Sequence, residues 1–262
     1  MYIKVDDNKT FFSNGTGNLK PEQPGVVFLH GAGMDHSVWV LPSRYFARHN
    51  YNVFALDFPG HGRSEGEPLT SIDAMSDWVS KAMGELYVAD CAIVGHSMGS
   101  LVALNFAARY PEQTRVLALL GPSTPMSVTD GLLTAARDNH HDAIDMANTW
   151  SHSSFGHMGG NENPGLCMTM SGQRLLEKAK KDVFFTDLDA CNEFTNGDKL
   201  AGQITADTLV IIGEQDRMTT AVNAQDVANK ITNSRVIRLN PCGHSMLSEQ
   251  PNAVLDALAT IV

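Results

Sequence analysis

The segment AIVGHSMGSLVAL, from Ala92 to Leu104, sets a serine between an apolar run that reads as a buried strand and an apolar pattern that reads as a helix. That serine is Ser97, and glycines stand two positions away on either side, at 95 and 99. A side chain on so tight a strand-to-helix turn takes a strained backbone geometry, and the two glycines relieve the crowding between strand and helix. The turn lifts the hydroxyl out of the sheet. It also aims the first helical N–H groups at the same space, where the helix dipole favours negative charge. A glycine-rich turn with a capping serine has the same five letters, so the chemistry has to be sought in partners elsewhere.

A serine hydroxyl is a poor nucleophile until a base takes its proton, and the base needs an acid to fix its tautomer. Both types occur downstream, Asp216 in LVIIGEQDRMT and His244 in RVIRLNPCGHSM, each a few residues beyond an apolar, β-branched run. Singly, an aspartate there usually caps the next helix, and a lone histidine is usually a packed surface residue. The order Ser, Asp, His, each at the carboxyl end of a strand, is the order expected with such a turn. Acyl transfer also needs two donors for the developing oxyanion. The N–H of Met98 is one by position. The other is expected from the HGAGM loop at 30–34, with Ala32 as the donor and Gly33 as the alternative.

Elements that could hold these groups recur along the chain. VVFLH (26–30), NVFALD (52–57), CAIVG (91–95), RVLALLG (115–121), TLVIIG (208–213) and RVIRLN (235–240) read as strands, most of them apolar on both faces. Helical patterns fall between them at 37–50, 71–86, 98–110, 220–231 and 248–261. Right-handed crossovers then give an α/β fold, a mostly parallel, doubly wound sheet with helices on both sides. The opening YIKVDDNKTFFSNG supplies an antiparallel hairpin at its edge. No strand pattern occurs from about 122 to 203, where amphipathic helical stretches flank the Gly/Asn/Ser-rich SHSSFGHMGGNENPG. The expected division is a core of 1–121 and 204–262 with a helical cap at 122–203, over the strand ends where open α/β sheets place ligands.

Composition narrows the alternatives. The 262 residues, 43% of them hydrophobic, suffice for one large domain with an insertion. A net charge of −10 argues against nucleic acid or an anionic membrane as a main partner. The start, MYIKVDDNKT, carries acids and no apolar core of a secretory signal, and no run of about 18 apolar residues is present. Cys91, Cys167, Cys191 and Cys242 are scattered without CxxC spacing and read as free thiols. A cytoplasmic monomer or homodimer is the expectation.

The motifs HGAG, DFPGHGRS (57–64), GHSMG, GEQDRM and GHSMLSEQP, in this order, resemble those of α/β-hydrolase-fold enzymes along nearly the whole chain. That resemblance implies Ser97 as nucleophile, His244 as base, Asp216 as acid, and the Ala32 and Met98 amides as the oxyanion hole, with no cofactor. Some members carry the acid after the earlier strand, which here ends LLGPS without a carboxylate. Dehalogenases and epoxide hydrolases of this fold use an aspartate where Ser97 stands. Carboxylic ester hydrolysis, with a small-molecule ester as substrate, is therefore the leading expectation. Thioesters, lactones or C–C bonds could be cleaved by the same residues, and a small-ligand receptor is the alternative of another class.

Other side chains have plainer expected roles. His30, His61 and His96 are expected to bond backbone. His140, His141, His152 and His157 lack a metal-binding frame, so no metal is expected. Arg174, Lys178, Lys180 and Lys181 complement a helix C-terminus, or alternatively dock an acidic carrier or coenzyme A. Methionines cluster near the motifs and in the insertion, and thioethers line adaptable apolar pockets. Met34, Trp39, Trp150, Phe155, Met158, Met218 and Met246 are accordingly the expected pocket wall.

Overall fold

The structure is a computed structural model that describes residues 1–160, 162 and 165–262. Eight strands form one sheet: β1 (Tyr2–Val5), β2 (Asn8–Ser13), β3 (Gly25–Leu29), β4 (Asn52–Leu56), β5 (Cys91–His96), β6 (Thr114–Leu120), β7 (Asp207–Gly213) and β8 (Ser234–Leu239). Their order is β1-β2-β4-β3-β5-β6-β7-β8. The opening hairpin pairs antiparallel and joins β4 antiparallel, and every other pairing is parallel. The expected mostly parallel α/β sheet is what the chain forms, with strand limits within a residue of the sequence reading.

Both faces of the sheet are covered, so central strands are apolar throughout. Val27 and Leu29 join one core cluster with the helices Ile72–Glu85, Met98–Arg109 and Ala221–Lys230. Val26 and Phe28 point the other way, into a second cluster with Val40–Arg48 and Pro251–Leu258. The period of two in a strand divides each between the two cores.

Two expected helices are broken for visible reasons. The 37–50 pattern is a short 3-10 turn, His36–Trp39, followed by Val40–Arg48. Trp39 turns inward there, and its ring lies 4.9 Å from that of Phe28. The 248–261 pattern becomes Met246–Glu249 and Pro251–Leu258. Pro251 has no N–H to continue the first helix but suits the first turn of the second.

Between β6 and β7 the described residues contain helices and no strand: Asp130–Arg137, Asp142–Ser151, Ser154–His157, Met168–Glu177, Val183–Asn192 and Gly197–Ala201. The Ser154–His157 helix lies inside the expected separator, of which residues 161, 163 and 164 are outside the described set. The insertion is rooted in the core, since Ala190, Cys191 and Phe194 pack in the same cluster as the Met98–Arg109 helix.

That helix leaves β5 with almost no clearance. A Cβ on Gly95 would collide with the Gly99 carbonyl, and one on Gly99 with the carbonyls of Leu29 and His30. Gly95→Ala and Gly99→Ala should each cost about 3 kcal/mol or more in urea unfolding. Gly84→Ala, in a helix with open space around it, should be neutral or stabilising by up to about 1 kcal/mol. Equal midpoints for all three variants would contradict this account of the close approach.

Candidate active site

Ser97 occupies the turn between β5 and the Met98–Arg109 helix with φ 54° and ψ −121°. Such a conformation in a non-glycine residue costs on the order of 1–3 kcal/mol and persists only where its surroundings enforce it. Here the Ser97 N–H donates to Leu120 O at 3.0 Å, while its carbonyl accepts from Ser100 N at 2.8 Å. The flanking residues are buried, yet Ser97 itself keeps partial exposure. Met98 is the first residue of the helix, so its N–H has no intrahelical acceptor.

Asp216 and His244, on the loops after β7 and β8, meet with Nδ1 to Oδ2 at 2.7 Å. Every other contact of the carboxylate fixes it as an acceptor. Oδ1 takes the N–H groups of Met218 and Thr219, both at 2.8 Å, and Oδ2 takes the Thr219 hydroxyl at 2.9 Å. Burial alone would raise the Asp216 pKa, but the charge and hydrogen bond of His244, with those from Thr219, hold it below the usual value. With Nδ1–H donated to Asp216, the basic lone pair of His244 is on Nε2. The backbone is held as well, because His96 Nε2 donates to His244 O at 2.9 Å.

The loop after β3 brings Ala32 beside the serine. Ser97 Cβ and the Met34 sulfur both crowd the space beside Gly31. His30 anchors this loop, donating from Nδ1 to Gly31 O at 2.9 Å and accepting from Phe58 N at 3.3 Å. The alternative donor, the Gly33 N–H, is already committed to the Asp187 carboxylate at 2.8 Å. Ala32 and Ser97 open on a cavity of about 120 Å³ bounded by Met126, Val128, Leu132, Trp150, Leu188, Cys191 and Met218. A larger cavity, about 680 Å³, lies at the opposite end of the sheet beside Pro24, Tyr87 and Arg115. It is remote from every group named here.

Of the expected wall residues, Trp150 and Met218 line the Ser97 cavity. Met34 lines a neighbouring groove with His36 and Arg63. The others need correction. Trp39 and Met246 are fully buried in the core cluster on the other face of the sheet. Phe155 and Met158 face outward, 51% and 79% exposed, on the surface of the insertion. Sequence reasoning missed the wall that the insertion supplies through Met126, Leu132, Leu188 and Cys191. It also missed Glu249, although the quoted GHSMLSEQP contains it. This buried carboxylate accepts Gly243 N at 2.9 Å and Ser153 N at 3.1 Å, while Ser151 O accepts Ser245 N at 2.8 Å, tying the His244 loop to the insertion.

Asp35, His36 and Asp57 bring possible metal-ligand atoms within 4.8 Å of one another. Asp57 is spent on the fold, since Oδ1 accepts His36 N and Nδ1 at 2.7 and 2.8 Å and Oδ2 accepts Arg63 N at 2.9 Å. In the insertion His141 faces Asp145 and Glu177, and His152 and His157 bond backbone carbonyls. Arg174 pairs with Glu177, and Lys180 donates to Ser64 O.

The chain matches the alpha/beta hydrolase family over residues 26–257 and belongs to it. It is 25% identical to the pimeloyl-[acyl-carrier protein] methyl ester esterase of Nitrosomonas europaea over 250 residues, 90% of this chain and 95% of that protein. With the (E)-2-((N-methylformamido)methylene)succinate hydrolase of Acinetobacter baylyi it shares 31% identity over 121 residues, and this match spans only 43% of that relative and 45% of this chain. The enol-lactonase of Burkholderia xenovorans LB400 superposes with a TM-score of 0.87 at 21% identity, covering 100% of this chain and 99% of the other, which is a likeness of fold. No helix among the described residues is long and apolar enough to cross a membrane.

The buried imidazoles set a pH dependence of stability. Burial, with the neighbouring charge of His61, lowers the His30 pKa to about 3; burial beside His244 does the same for His96. Between about pH 6.5 and that value the unfolded chain takes protons that the folded chain refuses, so stability falls as the pH falls. Thermal melts should give a Tm lower by several degrees at about pH 5 than at about pH 7. His61, whose pKa is raised beside Asp187, works in the opposite sense over the same range, so the check is a comparison: His96→Asn should show a smaller fall than wild type, and an equal fall would contradict neutral burial of that ring.

Proposed function

We propose that the protein is a serine hydrolase of carboxylic esters, acting through an acyl-enzyme on Ser97 with His244 as base and Asp216 as its orienting acid. The observation that carries this reading is the Asp216–His244 pair at 2.7 Å. It leaves Nε2 as the base on a loop at the same end of the sheet as the strained Ser97 turn. His244 Nε2 takes the hydroxyl proton as Ser97 attacks the ester carbonyl. The Met98 and Ala32 amides receive the oxyanion, in a site that keeps them desolvated and fixed. The imidazolium then protonates the leaving alcohol, and water repeats the sequence to free the acid.

The cavity supports small acyl groups. About 120 Å³ between Leu132, Trp150, Leu188 and Met218 accommodates a short chain, and a long one would have to displace the insertion. The same steps open a lactone or a thioester, and the ester reading draws on the esterase relative of near-equal length. Docking of an acidic carrier has less support, since Arg174 and Lys180 already hold partners within the chain. We assign the helical segment 122–203 the role of a cap that shapes the acyl site.

A p-nitrophenyl ester series tests this directly. Wild type should turn over acetate and butyrate with a higher kcat/KM than decanoate, and Ser97→Ala should lose at least about a thousandfold in kcat. Binding without turnover by wild type would favour a ligand receptor instead. Leu132→Ala should move the optimum toward longer chains; an unaltered series would remove the cavity as the selecting element.

A further inference from the structure

The Val183–Asn192 helix of the insertion carries an acid on its buried face. Asp187 is 0% exposed among Phe184, Leu188 and Cys191, where an apolar residue would normally sit. Its Oδ2 accepts two hydrogen bonds at 2.8 Å, from Gly33 N–H and from His61 Nε2. The other nitrogen of His61 faces the Pro59 carbonyl at 2.9 Å. Both ring nitrogens thus point at atoms that only accept, and a ring that donates from both carries a positive charge. Burial works against that charge, but Asp187 outweighs it and the His61 pKa stands above its ordinary value. Among the described residues Asp187 Oδ1 has no hydrogen-bond partner.

From these contacts we infer that Asp187 is a positioning residue for the oxyanion loop. The insertion supplies a carboxylate, locked by the His61 imidazolium, that pins the Gly33 amide and so holds the preceding amide of Ala32 toward Ser97. The inference rests on the serine hydrolase reading above. Gly33 has φ 66°, a conformation with ready alternatives for glycine. A loop that turns at such a residue needs a fixed acceptor to hold one geometry. An apolar residue at 187 would leave the Gly33 amide and His61 Nε2 without this acceptor.

The test compares wild type, Asp187→Ala and Asp187→Asn in kcat per active site, with sites counted by stoichiometric labelling with a fluorophosphonate. A residue that only supports folding lowers the number of sites and leaves the rate at each unchanged. Positioning predicts that Asp187→Ala loses about tenfold to a hundredfold in kcat per labelled site, somewhat less than outright removal of an oxyanion donor, with KM within about twofold. Affinity for a trifluoromethyl ketone, which forms the tetrahedral oxyanion, should fall in parallel. Asp187→Asn keeps an acceptor for Gly33 and should recover part of the loss; it carries the same comparison if the alanine variant does not fold. Per-site kcat within twofold of wild type in the folded variants would overturn the inference. Failure of the underlying reading would look different, because wild type would then resist the fluorophosphonate or Ser97→Ala would retain turnover.

Discussion

Everything at this site depends on how closely one helix approaches one strand. The missing Cβ atoms of Gly95 and Gly99 let the Met98–Arg109 helix rise directly from the end of β5. The backbone between them has one route, and it forces Ser97 to positive φ. The hydroxyl, the free N–H at the helix start and the loop after β3 are consequences of that single close contact. Core packing sustains the strain, since ten of the twelve residues in this helix are buried. Strain at a functional position is affordable only where packing around it is stronger than the local preference it violates.

Around this turn, histidines act in distinct ways because their neighbours differ. His30 and His96 each donate one N–H to a backbone carbonyl and are kept neutral by burial, which makes them fixed struts. His61 lies between a carbonyl and a carboxylate and is held charged. His244 meets one carboxylate through Nδ1, and the proposed mechanism uses its other nitrogen. The same side chain serves as prop or counter-ion, and in the proposed mechanism as base, according to what its two nitrogens face.

The sheet and the grouping of Asp216 with His244 were legible because both are written in local signals. Apolar runs ended in turn residues, and each chemical group stood just past one. The cavity wall was not legible, because proximity in sequence to a motif says nothing about which face a side chain takes. Trp39 and Met246 sit beside motif residues yet pack through the sheet's other face, while Phe155 and Met158 point to solvent. The insertion's contribution was harder still, as its helices find their places by tertiary packing. One clue was present in VFFTDLDACN. Positions 184, 187, 188 and 191 share a helical face, and an acid in that stripe signals a buried partner.

Hydrogen bonds tie the insertion to both of the loops that shape the site. Ser151 and Ser153 hold the loop that carries His244, directly and through Glu249, and Asp187 holds the turn that carries Gly33. A segment so fastened is not an interchangeable module. Exchange of 122–203 for another segment would transfer a new cavity shape, yet it would also remove the anion that faces His61 in this chain's PGHG turn.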